Sequence, residues 1–384
     1  MTRFIPFNKP CVAGDELKNI QQAIANGHLS GNGPFTKRCQ AWIEARLRCQ
    51  RALLTHSCTA GLEMAALLTE VAAGDEVIMP SFTFVSTANA FALRGATPVF
   101  VDIRPDTLNL DESRIEEAMT PRTRAIVPVH YAGVGCEMDD ICRIARQHGL
   151  FVIEDAAQGV MAAYKGRPLG SIGDAAALSF HETKNVIAGE GGALIVNRAE
   201  WVDRAEILWE KGTNRTLLMR GEIDKYSWID LGSSYLPSEL NAAFLSAQLD
   251  HAESITRRRL DLWDEYHRRL APLEAAGILR RPFIPETCTA NAHMYYVLVA
   301  ERAMRPRLIA SLAAQGINAV SHYVPLHGSL AGRRFGRIAG SLDVTESVGD
   351  RLVRLPLWPA MVAEDIAAVT AAVTFWAASA LDRV

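Results

Sequence analysis

Short apolar runs alternate with helical patterns along the chain from about residue 50 to residue 200. The runs are Ala52–Leu54, Glu76–Met79, Pro98–Asp102, Ala125–Val129, Leu150–Glu154, Ala175–Phe180 and Gly192–Val196. Several of them are continuously apolar, which is typical of strands that are covered on both faces. The helical patterns between them are Thr59–Val71, Thr87–Leu93, Asp111–Met119 and Cys136–His148. This order predicts an α/β protein built on a doubly wound sheet.

The pattern changes after about residue 235, where strands no longer alternate regularly with helices. The later elements that we predict are one long or broken helix over Ser238–Leu270, strands at Met294–Ala300 and Ala319–Tyr323, a helix over Ala303–Gln315 and a helix from Ala363. They indicate a smaller α+β domain. We therefore expect a large domain over residues 1–250 and a small one over residues 251–384.

Composition excludes several classes of protein. The formal net charge of −3 provides no overall basic field for nucleic acid or for an anionic membrane surface. No stretch reaches the ~20 apolar residues of a membrane span, and the first residues lack a signal peptide's apolar run. The seven cysteines form no C-x-x-C pair, and the spacing of His322 and His327 does not suit a metal site. We expect no metal and a cytoplasmic location.

The first candidate ligand site follows the run Ala52–Leu54, because ligands of an open α/β sheet bind at the carboxyl ends of its strands. The chain there reads Thr55-His56-Ser57-Cys58-Thr59-Ala60 and then enters a helical pattern. Free N–H groups at a helix N-terminus attract a phosphate, and the hydroxyls of Ser57 and Thr59 can add to them. Simple N-capping by either hydroxyl is the alternative.

Asp155 ends the apolar run Phe151-Val152-Ile153-Glu154-Asp155. A carboxylate at the tip of a buried strand needs a partner, and a protonated pyridine nitrogen would be one. Helix capping is the alternative, since Ala-Ala-Gln follows. Glu154 alternates to the opposite face of the strand, so we do not expect it at the same site.

Lys184 lies in the loop after the run Ala175–Phe180, which also carries Ser179. A hydroxyl at Ser179 can bind phosphate, and a partly desolvated lysine is a usable nucleophile for an aldehyde. The glycines in Gly189-Glu190-Gly191-Gly192 permit a tight turn nearby. A solvated surface charge is the alternative for any single lysine.

Phe84 follows the run Glu76–Met79 and can stack on a flat heteroaromatic ring, with ordinary core packing as the alternative. The order along the chain is then phosphate loop, aromatic ring, acid, serine and lysine. One cofactor with a phosphate, a ring nitrogen and an aldehyde accounts for all of them, which indicates pyridoxal 5'-phosphate. Neither a G-x-G-x-x-G motif after the first strand nor a Walker A motif is present.

These strings resemble the DegT/StrS-type sugar-nucleotide aminotransferases. The strings that carry the resemblance are Ser57–Ala60, Pro80–Phe84, Glu154–Gln158, Ser179–Asn185 and Glu190–Gly192, within a likeness that runs from Ile5 to Leu357. It implies the aspartate-aminotransferase-like fold of type I, with a large doubly wound mixed sheet. It also implies a homodimer with active sites at the subunit interface.

The resemblance further implies roles for single residues. Lys184 would be the Schiff-base residue, and Asp155 would face the pyridine nitrogen. Gln158 would lie near the ring oxygen and Phe84 would stack on the ring. The residues that would hold the phosphate are Thr59, Ser179 and the backbone of Ala60. Ser234 of the partner would also reach it, although many family members have an asparagine there and an arginine at the position of Leu236.

A narrower likeness concerns the substrate. Val77–Ser81, Phe84–Phe91 and Lys211–Arg215 resemble members that aminate a nucleotide-linked 4-keto-6-deoxy sugar. The implied reaction converts dTDP-4-dehydro-6-deoxy-D-glucose into dTDP-4-amino-4,6-dideoxy-D-galactose with L-glutamate as donor. The alternatives are another keto-sugar nucleotide or position, and a sugar dehydratase of the same fold, which would carry histidine instead of Lys184. A binding protein without catalysis is the third alternative.

Overall fold

The structure is a computed structural model that describes residues 4–381. Residues 1–3 of the predicted large domain and 382–384 of the predicted small domain lie outside the described residues. The α-helices are α1 Glu16–Ala25, α2 Pro34–Leu47, α3 Cys58–Leu68, α4 Val85–Ala92, α5 Ile115–Ala118, α6 Met138–His148, α7 Val202–Trp209, α8 Arg215–Met219, α9 Glu239–Asp250, α10 Ala252–Ala275, α11 Met304–Ala314, α12 Leu330–Phe335, α13 Asp343–Arg351 and α14 Ala363–Leu381. The strands are β1 Arg51–Thr55, β2 Glu76–Pro80, β3 Thr97–Val101, β4 Thr123–Ile126, β5 Phe151–Asp155, β6 Ala163–Tyr164, β7 Arg167–Pro168, β8 Ala175–Ser179, β9 Gly192–Val196, β10 Leu279–Arg280, β11 Cys288–Thr289, β12 Tyr295–Val299, β13 Arg337–Ile338 and β14 Leu352–Leu355.

Eight strands form the main sheet, in the order β1-β9-β8-β5-β4-β2-β3-β13. Strand β9 runs antiparallel to both of its neighbours, β1 and β8. The remaining pairs of this sheet are parallel. The predicted α/β class with a large mixed sheet is therefore confirmed.

The main sheet is covered on both faces, which explains its continuous apolar runs. In β9, Leu194 and Val196 belong to one core, together with residues of α3 and α7. Ala193 and Ile195 point the other way, into a second core with residues of α2 and α9. Because every position of β9 is buried on one side or the other, an alternating polar pattern would have left polar groups without water.

A second sheet, β10-β12-β14, lies in the later part of the chain. Its core joins apolar residues of β12 and β14 to those of α10, α11 and α14. The predicted helix over Ser238–Leu270 is broken at His251 into α9 and α10. The predicted strand Ala319–Tyr323 is reduced to one bridge between Val320 and Arg354, so this segment is mostly irregular.

The division into residues 1–250 and 251–384 stays a prediction. Two strand pairings cross it: β13 pairs with β3 at the edge of the main sheet, and β11 pairs with β6. Ile5 at the other end of the chain forms a bridge with Ile317.

None of the helices in residues 4–381 combines the length and the apolar character that crossing a membrane requires.

Candidate active site

A cavity of about 610 Å³ lies at the carboxyl ends of β1, β5 and β8. Six of the residues to which the resemblance assigns cofactor roles line it, namely Thr59, Phe84, Asp155, Gln158, Ser179 and Lys184. Ala60 is buried within α3 behind Thr59, and Ser234 is exposed on the surface. The structure thus brings together side chains that are up to 125 positions apart in the chain.

Hydroxyl groups and a helix N-terminus form one end of the cavity. Ser57 caps α3, since its Oγ accepts a hydrogen bond of 3.1 Å from the N–H of Ala60. Thr59 Oγ1 lies 2.7 Å from Ser86 Oγ, and Ser179 lies at the end of β8. Both N-capping and a phosphate-binding arrangement are therefore compatible with this loop, because Ser57 performs the capping and leaves Thr59 and Ser179 facing the cavity.

Gly192 holds the α3 entrance close to the central strands. A Cβ atom at this position would lie 2.4 Å from the backbone nitrogen of Cys58. Any side chain would therefore push the Ser57–Cys58 turn away from β9. The residue pairs with Thr55 of β1 on one side and with Ser179 of β8 on the other.

Asp155 is buried at the end of β5, and both of its carboxylate oxygens accept hydrogen bonds. Thr87 Oγ1 donates to Oδ2 at 2.6 Å, and the N–H of Ala157 donates to Oδ1 at 3.2 Å. Thr83 Oγ1 lies 2.8 Å from Thr87 Oγ1. These hydrogen bonds fix the orientation of the carboxylate, and a carboxylate that faces a ring nitrogen would keep it protonated.

Glu154 faces away from the cavity, as the alternation along β5 predicts. Its carboxylate lies 2.8 Å from His130 Nε2 and accepts hydrogen bonds from the backbone of Gly170 and Ile172. Burial acts to raise the pKa of Glu154, but these hydrogen bonds outweigh it and leave the pKa below its usual value. The His130–Glu154 pair therefore anchors β5 from the opposite face.

Lys184 lies in a loop whose ends are tied together after β8. The N–H of Glu182 donates to the carbonyl of Gly189 at 2.8 Å, and that of Ala188 donates to Phe180 at 2.7 Å. Burial away from water lowers the pKa of the Lys184 amine, and the nearby Asp155 carboxylate opposes this shift without cancelling it. A larger share of the amine is thus neutral and nucleophilic at neutral pH than for an ordinary lysine.

Residues from the later part of the chain complete the cavity, and the sequence analysis missed most of them. Gln158 Nε2 donates to Tyr323 OH at 2.9 Å, while its Oε1 accepts from the N–H of Ala132. The ring of His322 stacks on Tyr323 with 3.7 Å between centroids, and its Nδ1 lies 2.7 Å from Tyr131 OH. The sequence analysis tested His322 only as a metal ligand and rejected that role. The aromatic residue next to it, Tyr323, was the signal that could have indicated a cavity wall.

His293 and Arg354 also line the cavity. His293 Nδ1 lies 3.1 Å from Asn185 Oδ1, next to Lys184 in the chain. Burial lowers the pKa of both His293 and His322, so these imidazoles are neutral at neutral pH. Arg354 is a single arginine in the otherwise apolar run Leu352-Val353-Arg354-Leu355, and this was the signal that could have indicated its place in the cavity wall.

The set of side chains fits pyridoxal phosphate. Hydroxyls at a helix N-terminus suit its phosphate, a carboxylate held by two donors suits its ring nitrogen, and an amine of lowered pKa suits its aldehyde. Phe84, a residue that is 55% exposed, provides a flat apolar face at the mouth of the same cavity. All three kinds of group occur around one space, which a set of merely structural residues would not require.

Comparisons with known proteins identify the family of the chain. The DegT/DnrJ/EryC1/StrS aminotransferase family matches residues 10–374. The spore coat polysaccharide biosynthesis protein SpsC of Bacillus subtilis is 34% identical over 378 residues, covering 96% of this chain and 96% of that protein.

Two solved structures of aminotransferase relatives superpose on nearly the whole chain. The aminotransferase TlmJ from Streptoalloteichus hindustanus has a TM-score of 0.90 and 30% identity, over 98% of this chain and 100% of that chain. DesI, solved in the presence of its TDP-sugar product, has a TM-score of 0.87 and 29% identity, over 100% and 97% of the two chains. The predicted aspartate-aminotransferase-like fold of type I is thereby confirmed. The chain belongs to the DegT/DnrJ/EryC1/StrS aminotransferase family and is a pyridoxal-phosphate-dependent sugar aminotransferase.

Proposed function

We propose that the enzyme transfers the amino group of L-glutamate to carbon 4 of dTDP-4-dehydro-6-deoxy-D-glucose and releases dTDP-4-amino-4,6-dideoxy-D-galactose. The observation that carries the reaction type is the meeting of Lys184, Asp155 and the α3 hydroxyls around one cavity. The likeness to DesI, which was solved with a TDP-sugar product, supports a TDP-linked substrate.

Each residue has a proposed task. Bound pyridoxal phosphate supplies an aldehyde that accepts amino groups and a ring that delocalises an electron pair. Lys184 Nζ holds the cofactor between turnovers and, once released, moves a proton to and from the donor's α-carbon. Asp155 keeps the ring nitrogen protonated. The residues that hold the phosphate are Thr59, Ser179 and the Ala60 backbone.

Two further residues act at the ring. Gln158, fixed by hydrogen bonds with Ala132 and Tyr323, would contact the ring oxygen, and Phe84 would stack on the ring. The N–H of Ala60 already donates to Ser57 Oγ. To bind the phosphate as well, this N–H would have to share its hydrogen bond between Ser57 Oγ and a phosphate oxygen. Lys184 argues against a sugar dehydratase of the same fold, which would carry histidine at this position.

We also propose a homodimer in which Ser234 reaches the partner's cofactor site. Trp228 is 78% exposed, and Tyr226, Ile229 and Leu231 are each about half exposed in the same segment. An exposed apolar stretch of this size marks an interaction surface, and a second copy of the chain would cover it. The cytoplasmic location stays a prediction.

Mass spectrometry of the products from a panel of keto-sugar nucleotides with glutamate tests the substrate, and NMR of the product tests its configuration. We expect an axial amine at carbon 4, as the D-galactose configuration requires. An equatorial amine would overturn the configuration, and amination at carbon 3 would overturn the substrate. A difference of only a few kcal/mol in transition-state binding decides which of the two epimers forms. The configuration of the product therefore has to be measured by NMR.

A further inference from the structure

His293 lies shortly before β12 and is buried at the wall of the active-site cavity. It lines the main cavity together with Lys184, and it also lines a small adjoining space that Thr183 borders. None of the proposed steps of the reaction uses its imidazole. Because a buried polar group is costly unless it is paired, the partners of each polar atom of His293 indicate what the residue does.

The backbone of His293 is held on both sides. Its N–H donates to Asn291 Oδ1 at 3.0 Å, and its carbonyl accepts from a terminal nitrogen of Arg259 at 2.7 Å. Ala292, between Asn291 and His293, has a φ of 51°, a left-handed conformation that costs free energy in a residue with a Cβ atom. Its carbonyl accepts from Arg259 Nε at 3.0 Å. The turn is therefore clamped, and it fixes where the imidazole begins.

Asn291 joins this turn to two loops of the main sheet. Its Nδ2 donates to the carbonyls of Gln158 and Val160, each at 2.7 Å, in the loop after β5. Its own carbonyl accepts from Asn185 Nδ2 at 2.7 Å, in the loop after β8. A Cβ atom at Gly133 would collide with Asn291 Oδ1, so the glycine leaves the space that this amide occupies. The turn before β12 is thus held against both cofactor loops.

The same contacts determine which imidazole nitrogen of His293 carries the proton. The carbonyl of Asn291 can only accept, so Asn185 turns its Nδ2 towards it and its Oδ1 towards His293. Since Oδ1 also only accepts, the proton must lie on His293 Nδ1, 3.1 Å away. Burial lowers the pKa of His293 and nearby basic groups, Lys184 among them, lower it further, so the ring is neutral. Nε2 is therefore unprotonated, and no residue between 4 and 381 forms a hydrogen bond with it.

We infer that His293 is a positioning residue for Lys184, and that its unprotonated Nε2 accepts a hydrogen bond from the Lys184 amine when this amine is free. This rests on the proposed function, in which Lys184 moves a proton to and from the donor's α-carbon. Asn185 directly follows Lys184 in the chain, so the contact that sets the proton of His293 comes from the same loop as the amine. Ring and amine are held together as one unit.

This arrangement suits a lysine that acts as a base. An amine that donates one N–H keeps its lone pair free to accept a proton. Once Lys184 is protonated, its hydrogen bond to Nε2 becomes charge-assisted and therefore stronger. The proton stays on Lys184, because its lowered pKa makes the imidazole of His293 a weak base. His293 thus stabilises the protonated lysine, which both halves of the reaction require.

The first test determines the position of the ring proton without turnover. In the holoenzyme with ¹⁵N-labelled histidine, NMR distinguishes a protonated from an unprotonated ring nitrogen, and the signals that vanish in His293→Gln belong to His293. We expect a neutral ring with the proton on Nδ1. A proton on Nε2 in the wild type would overturn the inference, because that nitrogen could then not accept from Lys184.

The second test measures the pKa of the Lys184 amine in the pyridoxamine phosphate form, in which the lysine is free. Trace acetylation at several pH values, followed by peptide mapping, reports this pKa. His293→Leu should lower it by about one pH unit, because the ammonium loses one hydrogen bond. His293→Gln offers an amide oxygen as acceptor and should restore part of the shift, while the exposed-site control His148→Leu should cause none. The other titratable groups around Lys184 stay unchanged in these variants; they are Cys58, Asp155, His322 and Arg354. An equal pKa in the wild type and His293→Leu would overturn the inference.

The third test compares the two halves of the reaction by the absorbance of the cofactor. Glutamate is added to the pyridoxal phosphate form, and dTDP-4-dehydro-6-deoxy-D-glucose to the pyridoxamine phosphate form. His293→Leu should slow both conversions by about tenfold, since Lys184 moves a proton in each, and His293→Gln should slow them less. A loss in one half alone would mean that His293 contacts a substrate instead of Lys184.

The failure of the proposed function would look different. If the wild type converts with glutamate but not with this sugar nucleotide, the proposed substrate is wrong, while the first two tests of His293 do not involve the sugar. If borohydride reduction labels a lysine other than Lys184, the proposed task of Lys184 is wrong, although the ring proton would still lie on Nδ1. The NMR measurement on the wild type also does not depend on whether His293→Leu folds.

Discussion

The hydroxyl of Thr87 donates a 2.6 Å hydrogen bond to Oδ2 of Asp155. Since this uses the only hydroxyl proton of Thr87, the contact with Thr83 must be donated by Thr83. The two threonines therefore form a directed chain that ends on the carboxylate. Thr87 fixes the orientation of Asp155 without itself lining the cavity.

Thr87→Val should lower turnover by about tenfold or more, because a hydrogen bond to a charged group contributes about 1.5–3 kcal/mol. A shift in the cofactor's absorption would report the altered protonation of its ring, which a loss of stability alone would not produce. Thr83→Val is the control and should have a smaller effect, since it acts one step further away. Wild-type turnover and absorption in Thr87→Val would contradict the positioning role.

Lys184→Ala should abolish turnover and leave the purified protein without covalently attached cofactor. The physical reason is that no other lysine lines the cavity among the described residues. Borohydride reduction followed by peptide mapping measures this directly in the wild type. A pyridoxyl label on any other lysine would show that the assignment is wrong.

Asp155→Asn should keep part of the cofactor but lose most of the activity, because an amide does not hold the ring nitrogen protonated. The substitution preserves size and can still accept from Thr87, so folding should be retained. Steady-state kinetics on cofactor-saturated enzyme provides the measurement. Near-wild-type turnover is incompatible with the proposed role.

The free energy of unfolding should fall as the pH drops below 6.5, partly because of His293. Burial lowers the pKa of this imidazole in the folded state from 6.5, so in that range the unfolded chain binds a proton that the folded protein does not. Stability therefore rises with pH across this window. Denaturant titrations at several pH values should show a shallower dependence for His293→Gln than for the wild type or the exposed-site control His148→Gln; equal slopes would contradict this account.

The enzyme should sediment as a dimer, and Trp228→Asp should shift it towards the monomer and reduce its activity. A charge on the exposed apolar segment would have to be buried if that segment forms an interface. Phe375→Asp, at an aromatic residue of α14 that is 67% exposed, is the control. A wild-type monomer with full activity at nanomolar concentration would exclude the proposed assembly.

The cofactor side of the site was predictable because its residues follow apolar strands. Strand β9 was predicted with its observed bounds, and Thr59, Asp155, Ser179 and Lys184 all follow from the rule that ligands bind at strand ends. Local patterns are sufficient there, since each residue is placed by the strand that precedes it.

The other side of the cavity depends on contacts that no local pattern encodes. Tyr323 meets Gln158 across 165 positions, and the segment around it has one bridge instead of the predicted strand. Arg354 stands out in the sequence as a single arginine in an apolar run, but its position in the cavity wall follows only from the packed structure. Pairing of β13 with β3 likewise joins distant segments through two residues.

Gly192, in contact with the Ser57–Cys58 turn and flanked by Thr55 and Ser179, also lies in the last strand to be translated among those that border the cofactor side of the cavity. Chains are made from the N-terminus, so the residues from Thr59 to Lys184 that are proposed to hold the cofactor have all been translated once β9 is complete. The wall that contains Tyr323 and Arg354 is still to be translated at that moment. Within one polypeptide, the side of the cavity that comes from the main sheet is synthesised before the opposite wall.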